Sequence, residues 1–378
     1  MIHHQSLRGV KRAFVGLAVL AVLSVSSAVK ADEAPAAATD TAVMVDKAVE
    51  FLRSRQEPDG SFNKETGPAI TALVATGLLR NGRTPADPMV AQALKFIEGF
   101  VQVDGGIYQP GSAYQNYETC IAMMCLVEAN QGGRYDNQLA GAEKFIKGLQ
   151  WDQDEGHDES SFSYGGAGYG GKKRPDLSNT QYFLDALKSI GAGEDDPAVQ
   201  NALIFVSRCQ NLETEHNTTP HAALVEDGGF YYTAAAGGSS QAGTEPNGGL
   251  RSYASMTYAG LKSMIFAGVG PDDPRIQAAL EWLGKHYDLE SNPGMVPGDS
   301  GLYYYYHTFA KALDALGQEK FVDDAGAEHD WRAELVAELA GRQRDNGAWI
   351  NDNERWMEAN PNLSTAYSLL ALGYCRAE

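Results

Sequence analysis

An all-α toroid, six inner helices ringed by six outer helices in an (α/α)6 arrangement, is what the sequence predicts, and two observations predict it. One is a recurring turn signature of Gln, three spacers, Gly, one spacer and an aromatic, written as "QEPDGSF" (residues 56–62), "QVDGGIY" (102–108) and "QRDNGAW" (343–349). The other is the alternation of two kinds of helical pattern around those turns.

The first kind is amphipathic and charged on one face. It reads "TAVMVDKAVEFLRSRQ" from Thr41, "DPMVAQALKFIEGFVQ" from Asp87, "LAGAEKFIKGLQ" from Leu139, "DPAVQNALIFVSRCQ" from Asp196, "DPRIQAALEWLGKHY" from Asp273 and "DWRAELVAELAGRQ" from Asp330. Asp or Asp-Pro at a start places a carboxylate against free helix amides and a pre-set φ at the first helical position. The second kind is small, apolar and poor in charge: "PAITALVATGLL", "YETCIAMMCLVEA", "LSNTQYFLDALKSIG", "RSYASMTYAGLKSMIFAG", "YYHTFAKALDALG" and "LSTAYSLLALGYC". A helix that is apolar nearly all round is a buried one, so these form an inner barrel and the charged helices wrap it. In the turns, Gln is expected to bond free carbonyls or loop amides, Gly to permit the tight bend, and the aromatic to plug the seam between repeats.

Residues 1–31 read as a secretory signal. Arg8, Lys11 and Arg12 precede the apolar "AFVGLAVLAVLSV", and cleavage is expected after Ala31. Residues 32–40 are then a flexible segment and 41–378 a single toroid domain, in an exported protein of the periplasm or the extracellular space. Losing four positive charges (Arg8, Lys11, Arg12, Lys30) with the signal deepens the formal −19 to −23, which repels nucleic acid and anionic lipid. Cys120, Cys125, Cys209 and Cys375 include no C-x-x-C pair and read as buried free thiols. No G-x-S-x-G elbow, Walker motif or H-E-x-x-H occurs.

The turns "QRDNGAW", "QEPDGSF" and "QVDGGIY", with the inner-helix openings "PDLSNTQ", "YETCIA" and "YYHTFAKAL", resemble the repeats of squalene cyclases and protein prenyltransferases from about Thr41 to Cys375. The resemblance implies a toroid that binds or transforms an isoprenoid or related lipid in a central cavity, acting as a terpenoid cyclase if it is catalytic. Squalene cyclases protonate an alkene with an acidic Asp in an Asp-x-Asp-Asp-Thr motif. Here "DLSNT" keeps Asp176 and Thr180 but has Ser178 at the proton-donor position, so the standard donor is missing. "YYYYHT" resembles the prenyltransferase segment that carries a zinc-binding His, here His307, but "RSYASMTY" lacks the Asp and Cys ligands. No metal and no other cofactor is therefore expected.

Parallel inner helices would point their N-terminal ends at one mouth, where partial positive charge gathers. The candidate catalytic residues there are Asp176, Glu118 and His307. The candidate substrate-binding residues are Asn179, Thr180, Arg251, Tyr253, Tyr305 and Tyr306. Tyr303–Tyr306, Tyr231, Tyr232, Tyr253, Tyr258 and Phe183 would line the cavity with aromatic faces, or fill the core. Asp176 and Asn179 alternatively cap their helix, and His307 is alternatively a hydrogen-bonded residue at a helix start. Two long insertions, residues 152–176 and 211–249, are expected over the mouth, with "GGAGYGG" as a flexible lid beside the basic Lys172, Lys173 and Arg174. The expected partner is a hydrophobic small molecule or lipid, or a polysaccharide if the toroid is a glycosidase or lyase working through Glu118, Asp176 or Arg251. A non-catalytic toroid binding a peptide, lipid or glycan is the third reading.

Overall fold

Charged outer helices and apolar inner helices alternate along the chain because each inner helix has to bury its whole circumference. The computed structural model describes residues 36–170 and 173–376, so the expected signal sequence lies outside the described residues, as do Gly171 and Lys172. The outer helices are α1 (Ala36–Arg55), α3 (Pro88–Glu98), α5 (Asp136–Lys147), α7 (Pro197–Arg208), α10 (Pro274–Lys285) and α12 (Trp331–Arg342). The inner helices are α2 (Ala69–Arg80), α4 (Gln115–Glu128), α6 (Leu177–Ser189), α9 (Ala254–Phe266), α11 (Leu302–Leu316) and α13 (Pro361–Tyr374). A one-turn α8 (Ala222–Val225) sits in the second insertion, and a short antiparallel pair, β1 (Phe321–Val322) with β2 (Glu328–His329), joins α11 to α12.

The inner helices pack in the order α2, α4, α6, α9, α11 and α13, and α13 returns to α2, so the ring is closed. They run parallel. First-turn residues meet at one end, where Ser178 of α6 and Tyr304 of α11 are 3.0 Å apart, and last-turn residues meet at the other, where Arg80 of α2 pairs with Glu128 of α4 at 2.7 Å. The chain is an (α/α)6 toroid, as its sequence predicts.

The predicted caps form. Asp87, Asp196 and Asp273 each accept the amide two residues on at 2.9–3.0 Å, ahead of the first-position prolines of α3, α7 and α10. The turn glutamines do more than close their own helices. Gln56 donates to Gly60 O and to Met89 O of the next outer helix, and Gln343 donates to Gly347 O and, across the ring closure, to Met44 O of α1. Gln150 and Gln210 make the same double bond to Gly165 and Ala198, and to Gly228 and Arg275. In those two repeats the insertion lies between the Gln and its Gly, which hides the signature from a fixed-spacing search.

The "GGAGYGG" lid expectation is corrected here. Gly165, at φ +79°, is the turn glycine of its repeat, and a Cβ on it would lie 1.7 Å from Asn201 O of α7; one on Gly166 would lie 2.5 Å from Pro175 Cβ and 2.8 Å from the Phe205 ring. Gly165 lets backbone pack on backbone and Gly166 makes room for Pro175 and the Phe205 ring, so both are packing positions.

The four cysteines are free, three of them fully buried. Among the described residues no helix is long and apolar enough to cross a membrane.

Candidate functional site

The mouth of the ring is built from the first turns of the inner helices and the two insertions. Asp176 caps α6 by accepting Asn179 N at 2.9 Å, and the Asn179 amide group donates to both carboxylate oxygens at 2.9 and 3.0 Å. Burial pushes Asp176 up to about 6, against the pull of those donors and of Tyr232. The insertions do sit on this end: Leu177 N donates to Tyr232 O, Asn116 N to Tyr169 O, and Arg355 of the loop before α13 to Gln241 Oε1 at 2.8 Å. Arg174 lies over the Tyr232 ring at 5.7 Å and donates to Ser239 Oγ.

The surface of the mouth is aromatic and hydroxylated. Tyr114, 53% exposed, meets Tyr169 edge-on at 5.1 Å, and Tyr169 meets Tyr117 at 6.1 Å. Tyr117 packs edge-on against Tyr182. Ser178 and Tyr304, both part-exposed, share a hydrogen bond on the floor, with Tyr253 buried nearby. On the rim, Trp356 is 41% exposed, is stacked under the Arg355 guanidinium at 4.1 Å, and holds a left-handed backbone at φ +55°.

Below the floor the barrel is closed. Gln181, Tyr182, Asp185, Lys262, His307 and Tyr367 are each at most 5% exposed, and they touch across the axis. Tyr182 of α6 reaches Tyr367 of α13, the helix diametrically opposite, at 3.5 Å between hydroxyls. Asp185 of α6 takes Lys262 of α9 at 2.5 Å and Lys311 of α11 at 2.7 Å. Burial alone would raise Asp185, but the two lysines hold it below its usual range, while burial pushes Lys262 down to about 7. The expected central cavity is corrected accordingly: among the described residues the waist is packed with polar and ionic side chains.

The predicted residues divide by which way their helix turns them. Asp176 and Asn179 are brought together at the mouth, with Asn179 Oδ1 left unpartnered, and Tyr253 lies by Tyr304 and Asp176, which with burial raise its hydroxyl. Glu118, raised by burial, spends its oxygens on Gln109 N and Ser112 Oγ and so fastens the loop ahead of α4. His307 does not reach Asp176. It stands a turn deeper, stacked on Tyr367, with Nδ1 unpartnered, and burial holds it well below the usual imidazole range.

Tyr305 and Tyr306 point outward, donating to Asp288 O and Leu289 O at 2.6 Å, because the axial stripe of α11 is the one that carries Tyr304, His307, Thr308 and Lys311. Thr180 is also turned away from the mouth and accepts Ala167 N at 3.0 Å. Arg251, just past the second insertion, is tied to Glu245 inside it. Sequence reasoning missed Gln181, Asp185, Lys262 and Lys311. Their signal was available: single charges inside otherwise apolar inner helices, as in "YFLDALK" and "AGLKSMIF".

No protein-family model matches the chain, and no curated protein matches its sequence. Solved structures do match in fold. A variant of the type II terpene cyclase MstE from Scytonema, in complex with geranylgeranyl dihydroxybenzoate, aligns at TM-score 0.54 and 12% identity over 90% of this chain and 98% of that one. The apo form of MstE aligns at 0.53 and 13% over 89% and 98%. A polysaccharide lyase aligns at 0.50 and 10% over 88% and 96%. At such identities the shared property is the architecture, so this chain has the α/α toroid fold that a terpene cyclase and a polysaccharide lyase also have.

Proposed function

We propose that this is an exported toroid that binds a glycan chain in its tyrosine-lined mouth. The observation that carries the reading is a cluster of tyrosine rings and hydroxyls at the mouth of the ring, above a packed waist. Tyr114, Tyr117 and Tyr169 offer ring faces and edges, while Ser178, Tyr304 and Arg355 offer hydrogen-bonding groups beside them. A sugar presents C–H faces and hydroxyl edges together and matches such a surface. The isoprenoid reading, taken from the cyclase resemblance, requires an apolar cavity, and the waist filled by Asp185, Lys262 and Lys311 argues for the mouth instead. Export is supported by the signal-like pattern of residues 1–31 and by the acidic composition.

The test is titration calorimetry of the full chain with neutral and anionic oligosaccharides and with geranylgeraniol. Binding of an oligosaccharide, weakened about tenfold by Tyr117→Ala as one aromatic contact is lost, is the expected result. Binding of the isoprenoid with no sugar bound would overturn the reading and return the cavity hypothesis. Shortened or unsaturated products on longer incubation would add catalysis to binding.

A further inference from the structure

One line of hydrogen-bonded polar groups runs from the buried ion cluster to the floor of the mouth. Lys262 Nζ donates to Asp185 Oδ1 at 2.5 Å and to Gln181 Oε1. Paired with the Asp185 carboxylate, the Lys262 ammonium has donors only and no lone pair to offer, so the oxygen of the Gln181 amide faces it. The NH2 end therefore faces the mouth, where Nε2 donates to Tyr304 Oη at 3.1 Å. Tyr304, accepting that bond, still has its own proton to place, and Ser178 Oγ lies 3.0 Å away in a pair where either hydroxyl is able to donate; with Tyr304 as donor the line keeps one direction. Ser178 Oγ, filled by the tyrosine proton, then keeps its own hydroxyl proton free on the part-exposed side.

We propose that Ser178 is the ligand-contacting donor of the mouth, presenting an O–H that Lys262, Gln181 and Tyr304 hold pointed at the ligand. This rests on the glycan reading and deepens it. The ligand must bring an acceptor to this point, a ring or glycosidic oxygen or a hydroxyl lone pair, and a group able only to donate is disfavoured. Lys262 and Gln181 are positioning residues that touch no ligand; they set the polarity of the line. The inner half of the line is buried, with Gln181 and Lys262 each 1% exposed.

Neutron diffraction from deuterium-exchanged crystals of the full chain reads that polarity without a ligand. The expected result is a deuteron on Tyr304 Oη aimed at Ser178 Oγ, with the Ser178 deuteron off that line and toward the mouth. In Gln181→Glu, which offers acceptors at both ends, Tyr304 is expected to turn its deuteron onto the new carboxylate and Ser178 to turn its own onto Tyr304. Finding the reversed arrangement in the wild-type protein overturns the proposal. Calorimetry separates it from the glycan reading. With an oligosaccharide that binds, Ser178→Ala should weaken affinity about five- to tenfold and Gln181→Glu by a similar factor at unchanged thermal stability. Binding that both variants leave within twofold overturns the proposal while the glycan reading stands. Absence of any sugar binding, with the deuterons as expected, sinks the glycan reading and leaves Ser178 as a donor for some other acceptor.

Discussion

Thr180 belongs to a set. Thr71, Thr119, Thr180, Thr257 and Thr365, each in the opening turns of an inner helix, accept the backbone N–H of Phe62, Ile107, Ala167, Phe230 and Trp349 at 3.0–3.1 Å. Each turn is thereby fastened to the inner helix that follows it, and an N–H that the turn leaves unpaired inside the protein is satisfied. Replacing the hydroxyl with a methyl in Thr180→Val leaves that buried donor alone, at a cost of about 1–3 kcal/mol. Urea unfolding should show the loss, while ligand affinity stays unchanged. An affinity loss without a stability loss would return Thr180 to the site. Position in a resembling motif pointed to substrate binding, whereas the repeat explains this residue in full. The reason could not be seen in one motif alone, because the acceptor's partner, Ala167, lies thirteen residues upstream inside the first insertion.

At the scale of elements, the ring depends on close approach between each turn and the next outer helix. Gly347, at φ +86°, ends the chain's last repeat against its first: a Cβ there would lie 2.2 Å from Lys47 O in α1. Gly347→Ala adds a left-handed alanine, costing about 1–2 kcal/mol, to a clash with backbone that has to move. The expected result is a drop in stability of more than about 2 kcal/mol, with hydrogen exchange rising first in α1 and α12. If exchange rises evenly over all outer helices, ring closure is not the weak point. The helices themselves were legible from period and charge, and the Asp-Pro starts fell where the caps formed. Which face of α11 looks inward was not. Tyr303–Tyr306 are four identical letters, and only helix rotation, about 100° per residue, separates Tyr304 on the axis from Tyr305 and Tyr306 on the outer seam.

For the whole molecule, burial sets the pH dependence. Glu358, which accepts Tyr304 N at 2.8 Å and Asn351 Nδ2 at 2.8 Å at the start of α11, is pushed up to about 7, and Asp176 to about 6. Both hold protons more tightly folded than unfolded. Their stabilisation is complete below about pH 4 and is lost as the pH rises through 6 and 7. Lys262 has the opposite sign: the unfolded chain keeps its proton between about 7 and 10, so stability rises across that range. Denaturant unfolding from pH 4 to 10 should pass through a minimum near 7, and Lys262→Met should remove the alkaline rise. A maximum near neutrality would contradict this account.

The sequence by itself determined the toroid, since apolar period, cap residues and turn glycines are local signals and repetition multiplies them. It also located the mouth, because parallel inner helices have to gather their N-terminal ends. Tertiary structure alone decided what stands on the axis. Asp185, Lys262 and Lys311 come from three helices, 77 and 49 residues apart in sequence, and meet only when the ring closes. A buried charge is stable only with a partner, and the partner is chosen by the rotation of helices that no local pattern encodes.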